Sequence, residues 1–194
     1  MNKRKVFNIV IFLIVMINWL RMVFIRSDVA LTAGGLSSLK YFTVLSNLYE
    51  GLACLVWLYN SDEKIKYSAA VSVTLTMVVV LTFLGPLYGY PAMFYGVSFW
   101  MHLIVPLTAL LEVLFWSRAM FTLRDNFLAC IPLGIYGIFY IGNNAINGIG
   151  IWPYTNDWYG FLTWGYPIGI MFYLVILLAV FLIGFLIRKF KDRI

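Results

Sequence analysis

The chain has 194 residues, of which 63% are hydrophobic and 11% are charged, and it carries a formal net charge of +6. Soluble domains are usually about 45–50% apolar and about 25% charged. The composition therefore excludes an ordinary soluble domain and predicts an integral membrane protein. The positive charge does not indicate a nucleic-acid partner, because the basic residues gather at the chain ends and in alternate loops between apolar segments.

Six apolar segments follow one another along the chain, and each is close to the length that a membrane helix requires. A helix needs roughly 20 apolar residues to cross about 30 Å of hydrocarbon. Continuous apolar runs favour helices over the alternating strands of a barrel. The predicted fold class is therefore all-α, with one domain over residues 1–194 that contains six transmembrane helices. The predicted helices are Val6–Ile25, Tyr41–Tyr59, Ala69–Tyr88, Val97–Trp116, Phe127–Ile146 and Gly160–Ile187.

The distribution of basic residues predicts how these helices are oriented. Of the 14 Lys and Arg residues, 11 lie on one side of the predicted bundle, at the two chain ends and in the loops after the second and fourth segments. Cytoplasmic loops carry an excess of Lys and Arg. We therefore expect a multi-pass protein of the cell membrane with both termini in the cytoplasm. Its oligomeric state is not indicated by the sequence.

A polar stripe opens the second segment, within Lys40–Gly51. Thr43, Asn47 and Glu50 have the spacing i, i+4 and i+7, which places them on one face of a helix. Polar and ionisable side chains inside a membrane are costly, and they usually face the protein interior or a water-filled cavity. We therefore expect this stripe to face partners inside the bundle.

Other polar residues are predicted at a similar depth. With a rise of about 1.5 Å per residue, Thr43 lies about 5 Å below Lys40, and His102, the single histidine, lies about 8 Å below Val97 at the start of the fourth segment. Asp157 precedes the last segment, whereas Glu112 falls on the inner side. The predicted orientation also brings three residues of the first and fifth segments to the outer half of the membrane, namely Arg21, Asn143 and Asn144.

Each of these residues also has a purely structural interpretation. A threonine in a membrane helix usually bonds the carbonyl four residues before it. Arg21 and Glu50 could form a buried ion pair, and Asp157 could cap the start of the last helix. Amides commonly make interhelical hydrogen bonds, which is the default interpretation of Asn47, Asn143 and Asn144.

Thr43 and His102 together predict a catalytic pair. A hydroxyl is a poor nucleophile unless a positioned base removes its proton during attack. Because the chain has one histidine, that base would be His102. An acyl-transfer site also needs donors for the developing oxyanion, which Asn143, Asn144 or a backbone N–H could supply. The candidates to orient the imidazole are Asp157, Glu50 and Asn47.

Three short motifs resemble the androgen-induced membrane hydrolase family, which includes the androgen-induced and androgen-dependent proteins and smaller bacterial six-helix relatives. The motifs are LKYFTVLSN at 39–47, MHLIVPLTALLE at 101–112 and YTNDWYGF at 154–161. The resemblance covers nearly the whole chain in helix count and motif order. It implies hydrolysis of fatty acid esters of hydroxy fatty acids by a threonine nucleophile and a histidine, which by motif are Thr43 and His102.

The leading hypothesis is an intramembrane threonine hydrolase that cleaves an acyl ester of a membrane lipid. The sequence contains no zinc, P-loop, dinucleotide or serine-elbow motif, so we expect neither a metal nor an organic cofactor. A second hypothesis is a membrane protein that binds a lipid or small molecule without chemistry. A third is a small proton-coupled carrier with a relay through Glu50, His102 and Glu112, which predicts a polar path from Glu112 to the outer residues.

Overall fold

A computed structural model of the protein describes residues 3–25, 34–151 and 154–193. The described residues form helices and no strands, and six helices are long and apolar enough to cross a membrane. The prediction of an all-α chain with six membrane-length helices is therefore confirmed. The helices are α1 (Lys3–Phe24), α2 (Phe42–Asn60), α3 (Glu63–Tyr88), α4 (Val97–Phe115), α5 (Leu123–Asn147) and α6 (Tyr166–Lys191). A 3₁₀ helix at Gly35–Lys40 leads into α2, and a short helix at Tyr90–Met93 connects α3 to α4.

Polar side chains cap α3 and α5, and both helices therefore begin earlier than the hydropathy pattern predicts. The Asp62 carboxylate accepts the backbone N–H groups of Lys64 and Ile65, which starts α3 at Glu63. Thr122 and Asp125 form a reciprocal capping box that starts α5. Such caps satisfy N–H groups that have no partner within the helix. The first turns of α3 and α5 are therefore helical although they are charged.

The last helix begins later than predicted, at Tyr166 instead of Gly160. Its N-cap is Gly165, whose φ of 90° is a conformation that glycine adopts without a steric penalty. The residues before it form turns, so Asp157 does not cap α6 and that structural interpretation is wrong.

A wide π-helical turn interrupts each of α3 and α4, at Val80–Leu84 and Trp100–Ile104. Each is followed closely by a proline, Pro86 or Pro106. Proline lacks an N–H and clashes with the carbonyl four residues earlier, so the helix widens before it. In α4 this wide turn contains His102.

The centre of the bundle is α3, which packs against α2, α4, α5 and α6. All residues of Lys66–Thr76 are buried, whereas most of α6 faces outward. The hydroxyl of Tyr67 lies 2.8 Å from Asn126 Oδ1 and 2.7 Å from the carbonyl of Gly184 on α6. Asn126 also donates from Nδ2 to the carbonyl of Phe181, at 3.0 Å. These contacts hold α6 against α3 and α5.

Replacing Gly184 by alanine is expected to loosen α6. A Cβ there would lie 2.3 Å from Asn126 Oδ1 and 2.9 Å from the Tyr67 hydroxyl. Overpacking of this kind costs about 1–3 kcal/mol, so thermal unfolding in detergent should occur at a lower temperature. Gly142→Ala is the matched control, because nothing lies within 4 Å of a Cβ at that position. Equal melting temperatures for the two variants would contradict this packing.

Candidate functional site

The bundle has two chemically different ends. The end that we call the basic end carries the start of α1, the α2–α3 turn, the α4–α5 loop and the end of α6. The opposite end, which we call the aromatic end, carries the 3₁₀ helix and the α3–α4 and α5–α6 connections. Direct contacts join the elements at each end, including Arg4 with Glu63 at the basic end and Tyr41 with Tyr159 at the aromatic end.

Thr43 is the second residue of α2, at the aromatic end, and it is half-buried. The side chain of the N-cap residue Tyr41 makes no capping hydrogen bond to the first N–H groups of this helix. Instead the backbone N–H of Phe42 donates to the hydroxyl oxygen of Tyr159, at 2.8 Å. Burial raises the pKa of Tyr159 to about 12, so this phenol is neutral near pH 7. The α5–α6 connection therefore holds the turn of α2 that carries Thr43.

Asn47, one turn further along α2, joins this turn to α4. Its Nδ2 donates to the carbonyl of Thr43 at 2.8 Å and to the carbonyl of Met101 at 3.0 Å. Met101 directly precedes His102 in the wide turn of α4. One buried amide therefore binds the backbone at Thr43 and the backbone next to His102, which agrees with the predicted interhelical role of Asn47.

The imidazole of His102 is held by the α3–α4 connection. Its Nδ1 lies 2.8 Å from the carbonyl oxygen of Met93. A carbonyl can only accept, so Nδ1 carries the hydrogen, and in the neutral ring Nε2 is the basic atom. Among the described residues Nε2 has no hydrogen-bond partner. The group that orients the ring is thus a backbone carbonyl, and none of the three predicted side chains has this role.

The hydroxyl of Thr43 makes no hydrogen bond with any residue in the described part of the chain. Thr82 and Thr108 behave differently, since each donates to the carbonyl four residues before it, at 2.7 Å. Thr43 therefore does not make the hydrogen bond to the carbonyl four residues before it that is usual for a threonine in a membrane helix. No hydrogen bond within the described residues joins Thr43 to His102. The hydrogen bonds that connect them run through Asn47 and the backbone.

Asn144 and Asp157 organise the α5–α6 connection instead of approaching Thr43. Asp157 accepts a hydrogen bond from the hydroxyl of Tyr140 and another from the backbone N–H of Leu162, the latter at 2.8 Å. Asn144 Nδ2 donates to the carbonyls of Tyr140, at 2.9 Å, and Asn156, at 3.0 Å. Both side chains therefore stabilise the α5–α6 connection. Tyr159 of this connection accepts the hydrogen bond from the start of α2.

Glu50 lies midway along α2 and bonds a network that leads to the basic end, which differs from its predicted position. Its Oε1 accepts from Nζ of Lys66, and Lys66 also lies 2.9 Å from Oε2 of Glu112. The side chains of all three are fully buried. A pair between Arg21 and Glu50 is therefore not formed, and the prediction of that pair is wrong. Arg21 lies in the last turn of α1, at the other end of the bundle.

The ion network extends from Glu112 towards the surface. Arg4 Nε lies 2.9 Å from Glu112 Oε1, and the other two guanidinium nitrogens lie 2.6 and 2.8 Å from the Glu63 carboxylate. Asn8 Nδ2 also donates to Glu112 Oε1, at 2.8 Å. These contacts join α1, α2, α3 and α4. In the described residues no group of three or more His, Cys, Asp or Glu side chains is placed to hold a metal ion.

Sequence reasoning missed Lys66 because it was placed in a loop. The Asp62 cap starts α3 before Lys66, which directs this lysine into the bundle. A signal was present, since an acidic residue that can cap a helix precedes Lys66 by four positions, and an apolar run follows it.

A groove of about 460 Å³ lies between α2 and α5. At its aromatic end Lys40 Nζ lies 5.3 Å from the ring centre of Tyr41 and 5.7 Å from that of Trp158. No carboxylate of the described residues forms an ion pair with Lys40. Neither Thr43 nor His102 lines this α2–α5 groove. Its lining residues are Leu39, Lys40, Phe42, Leu45, Ser46, Tyr49, Pro132, Ile135, Tyr136, Phe139, Tyr140, Asn143 and Trp158.

No protein-family model matches this sequence, and no curated protein or solved structure matches the chain. The resemblance to the membrane hydrolase family stays a prediction that depends on short motifs. The proposals for function are therefore argued from the contacts of the described residues.

Replacing Asn47 by leucine is expected to separate α2 from α4 near His102. Two carbonyls would lose their donor in a buried site, which costs about 1–3 kcal/mol. Asn143→Leu is the matched control, because Asn143 is half-buried and its Oδ1 bonds only the exposed Asn147. Thermal unfolding of the purified protein measures the difference. A melting temperature for Asn47→Leu as high as that of the control would contradict the bridging role.

Proposed function

We propose that the chain is an intramembrane threonine hydrolase that cleaves an acyl ester of a membrane lipid. Thr43 is the nucleophile and His102 is the general base. The proposal also includes the predicted topology, with both termini in the cytoplasm and the site in the outer half of the cell membrane. The observation that carries it is the amide of Asn47, whose single Nδ2 bonds the carbonyls of both Thr43 and Met101.

Two further features support the chemistry. The Thr43 hydroxyl and His102 Nε2 are the reactive atoms of the pair, and both lack a hydrogen-bond partner among the described residues. The bond from Nδ1 to the Met93 carbonyl fixes the tautomer in which Nε2 can accept a proton. Catalytic hydrogen bonds are often long in an empty site and tighten when substrate binds. The proposal therefore requires the Thr43 hydroxyl to turn towards Nε2 in the substrate complex.

The proposed reaction has two steps. In the first, Thr43 Oγ attacks the ester carbonyl while Nε2 of His102 takes the hydroxyl proton, and the same nitrogen then donates that proton to the departing alcohol. In the second, Nε2 activates a water that releases the acyl group from Thr43. The developing oxyanion forms beside the first turn of α2, where the helix dipole favours negative charge.

Replacing Thr43 by alanine is expected to abolish this activity. The purified protein in detergent is incubated with a fluorophosphonate probe and, separately, with a chromogenic medium-chain acyl ester. Both labelling and hydrolysis should fall at least about 100-fold in Thr43→Ala and in His102→Gln, because each removes one half of the pair. Thr108→Ala is the control, since Thr108 bonds its own helix backbone. Labelling that persists in Thr43→Ala would exclude Thr43 as the nucleophile.

The α2–α5 groove favours a second candidate function, the binding of an anionic acyl-chain lipid without chemistry. The groove has a cation, Lys40, and the indole of Trp158 at one end, and apolar side chains such as Leu45 and Ile135 along its walls. Amphipathic aromatic rings and basic side chains are favoured at membrane interfaces, where a lipid headgroup lies. In this arrangement the acyl chain lies against the apolar walls between α2 and α5, and its acidic group lies beside Lys40.

Filling the groove should abolish such binding. Crosslinking of a photoactivatable fatty acid to the protein should fall at least about tenfold in Ile135→Trp, because the indole occupies the space of the acyl chain. Ile138→Trp is the control on the same helix, since Ile138 is 74% exposed and does not line the groove. Lys40→Gln should reduce crosslinking of the fatty acid more than that of a neutral acyl alcohol. Equal crosslinking in the two tryptophan variants would exclude the groove as the binding site.

A further inference from the structure

We propose that Glu50 holds a proton as a neutral carboxylic acid, between Lys66 and Asn47, and that the middle of the bundle is therefore a proton-binding site. This inference is independent of the proposed hydrolase. It depends on two buried oxygen atoms on one face of α2 that lack donors among the described residues.

The two oxygen atoms are Oε2 of Glu50 and Oδ1 of Asn47. Both residues are 0% exposed, and neither atom has a hydrogen-bond partner among the described residues. The residues are three positions apart on α2, so their side chains are neighbours on one helix face. The amide of Asn47 cannot be reversed to change this, because its Nδ2 already donates to two carbonyls. Both atoms are acceptors, so they cannot satisfy each other without a proton.

One proton on Glu50 Oε2 satisfies both atoms. The resulting O–H donates, and Asn47 Oδ1 accepts. The other oxygen of Glu50, Oε1, keeps its bonds from Lys66 Nζ and from the thiol of Cys54, the latter at 3.6 Å. An ionised Glu50 would instead leave a charged oxygen buried without a donor, which is among the costliest arrangements in a protein interior.

Charged groups from several helices surround Glu50. The network contains two cations, Lys66 and Arg4, and two further carboxylates, Glu112 and Glu63. A third cation, Lys191, bonds the carbonyl of Ser117 nearer the surface. The remaining polar neighbours are the Cys54 thiol, 3.2 Å from Lys66, and the phenol of Tyr49, next to Glu50 in the chain.

The network also connects this proton to the basic end. Continuous contacts run from Glu50 through Lys66, Glu112 and Arg4 to Glu63, whose side chain is 21% exposed. On the other side Asn47 continues the polar contacts to Thr43 and Met101. The ion contacts therefore join Glu50 to the basic end of the bundle.

Infrared spectroscopy of the full chain in detergent tests the proposal directly. A protonated carboxylic acid has a carbonyl band that a carboxylate lacks. At neutral pH the wild-type protein should show one such band from a buried acid, and Glu50→Gln should remove it. The absence of the band in the wild type, or its persistence in Glu50→Gln, would overturn the proposal. If a water molecule instead bridges the two oxygen atoms and Glu50 is ionised, the wild type will lack the band.

Thermal unfolding gives a second test with a matched control. Glutamine has the shape of a neutral glutamic acid and can make the same bonds to Asn47 and Lys66. Glu50→Gln should therefore melt within about 2 °C of the wild type. Glu112→Gln removes a charged partner of Lys66 and Arg4, and it should melt at least about 6 °C lower or fail to fold. A loss in Glu50→Gln as large as that in Glu112→Gln would show that Glu50 is ionised.

Discussion

The contact of Lys66 with Glu50 and Glu112 is the interaction on which the rest of this structure depends. A charge surrounded by apolar helices is tolerated only when it is paired and hydrogen-bonded. Lys66 meets this condition by bonding one carboxyl from α2 and another from α4, and Arg4 adds α1 through Glu112. Removing Glu112, the charged partner of Lys66 and Arg4, is a change that typically costs about 3–5 kcal/mol, because a buried charge is left without compensation. The network therefore sets how the first four helices pack at the basic end.

With these helices held at the basic end, the aromatic end is held by neutral hydrogen bonds. Asn47 bonds α2 to α4 beside His102, and Tyr159 from the α5–α6 connection accepts the first N–H of α2. These contacts leave the Thr43 hydroxyl and the His102 Nε2 without partners among the described residues. The proposed hydrolase requires both atoms to be available within a fixed backbone, because orientation is then established before substrate binds. The α2–α5 groove lies on a neighbouring face of the same turn, through Phe42 and Ser46.

Sequence reasoning succeeded for the helices and was less successful for their polar ends. Hydropathy identifies where a chain can cross a membrane, but the bounds of α3 and α5 depend on the caps at Asp62 and Thr122. The helical spacing of Thr43, Asn47 and Glu50 correctly predicts one face of α2, and it correctly leaves Asn47 to an interhelical hydrogen bond, but the predicted partner of Glu50 is wrong. The sequence suggests a pair of Glu50 with Arg21, because the predicted orientation brings Arg21 to the outer half of the membrane with the polar stripe of the second segment. Its actual partner, Lys66, becomes available only because the Asp62 cap starts α3 early enough to direct this lysine inward.

The sequence by itself determined the class of this protein, its six membrane-length helices, and the polar face of α2. These properties follow from composition and helical periodicity, which act over one or two turns of chain. The tertiary structure alone decided which polar residues meet. Lys66 with Glu50 and Glu112, Asn47 with Met101, and Asp157 with Tyr140 join positions far apart in the chain. Buried polar atoms need partners wherever packing places them, and no local pattern specifies which helix supplies the partner.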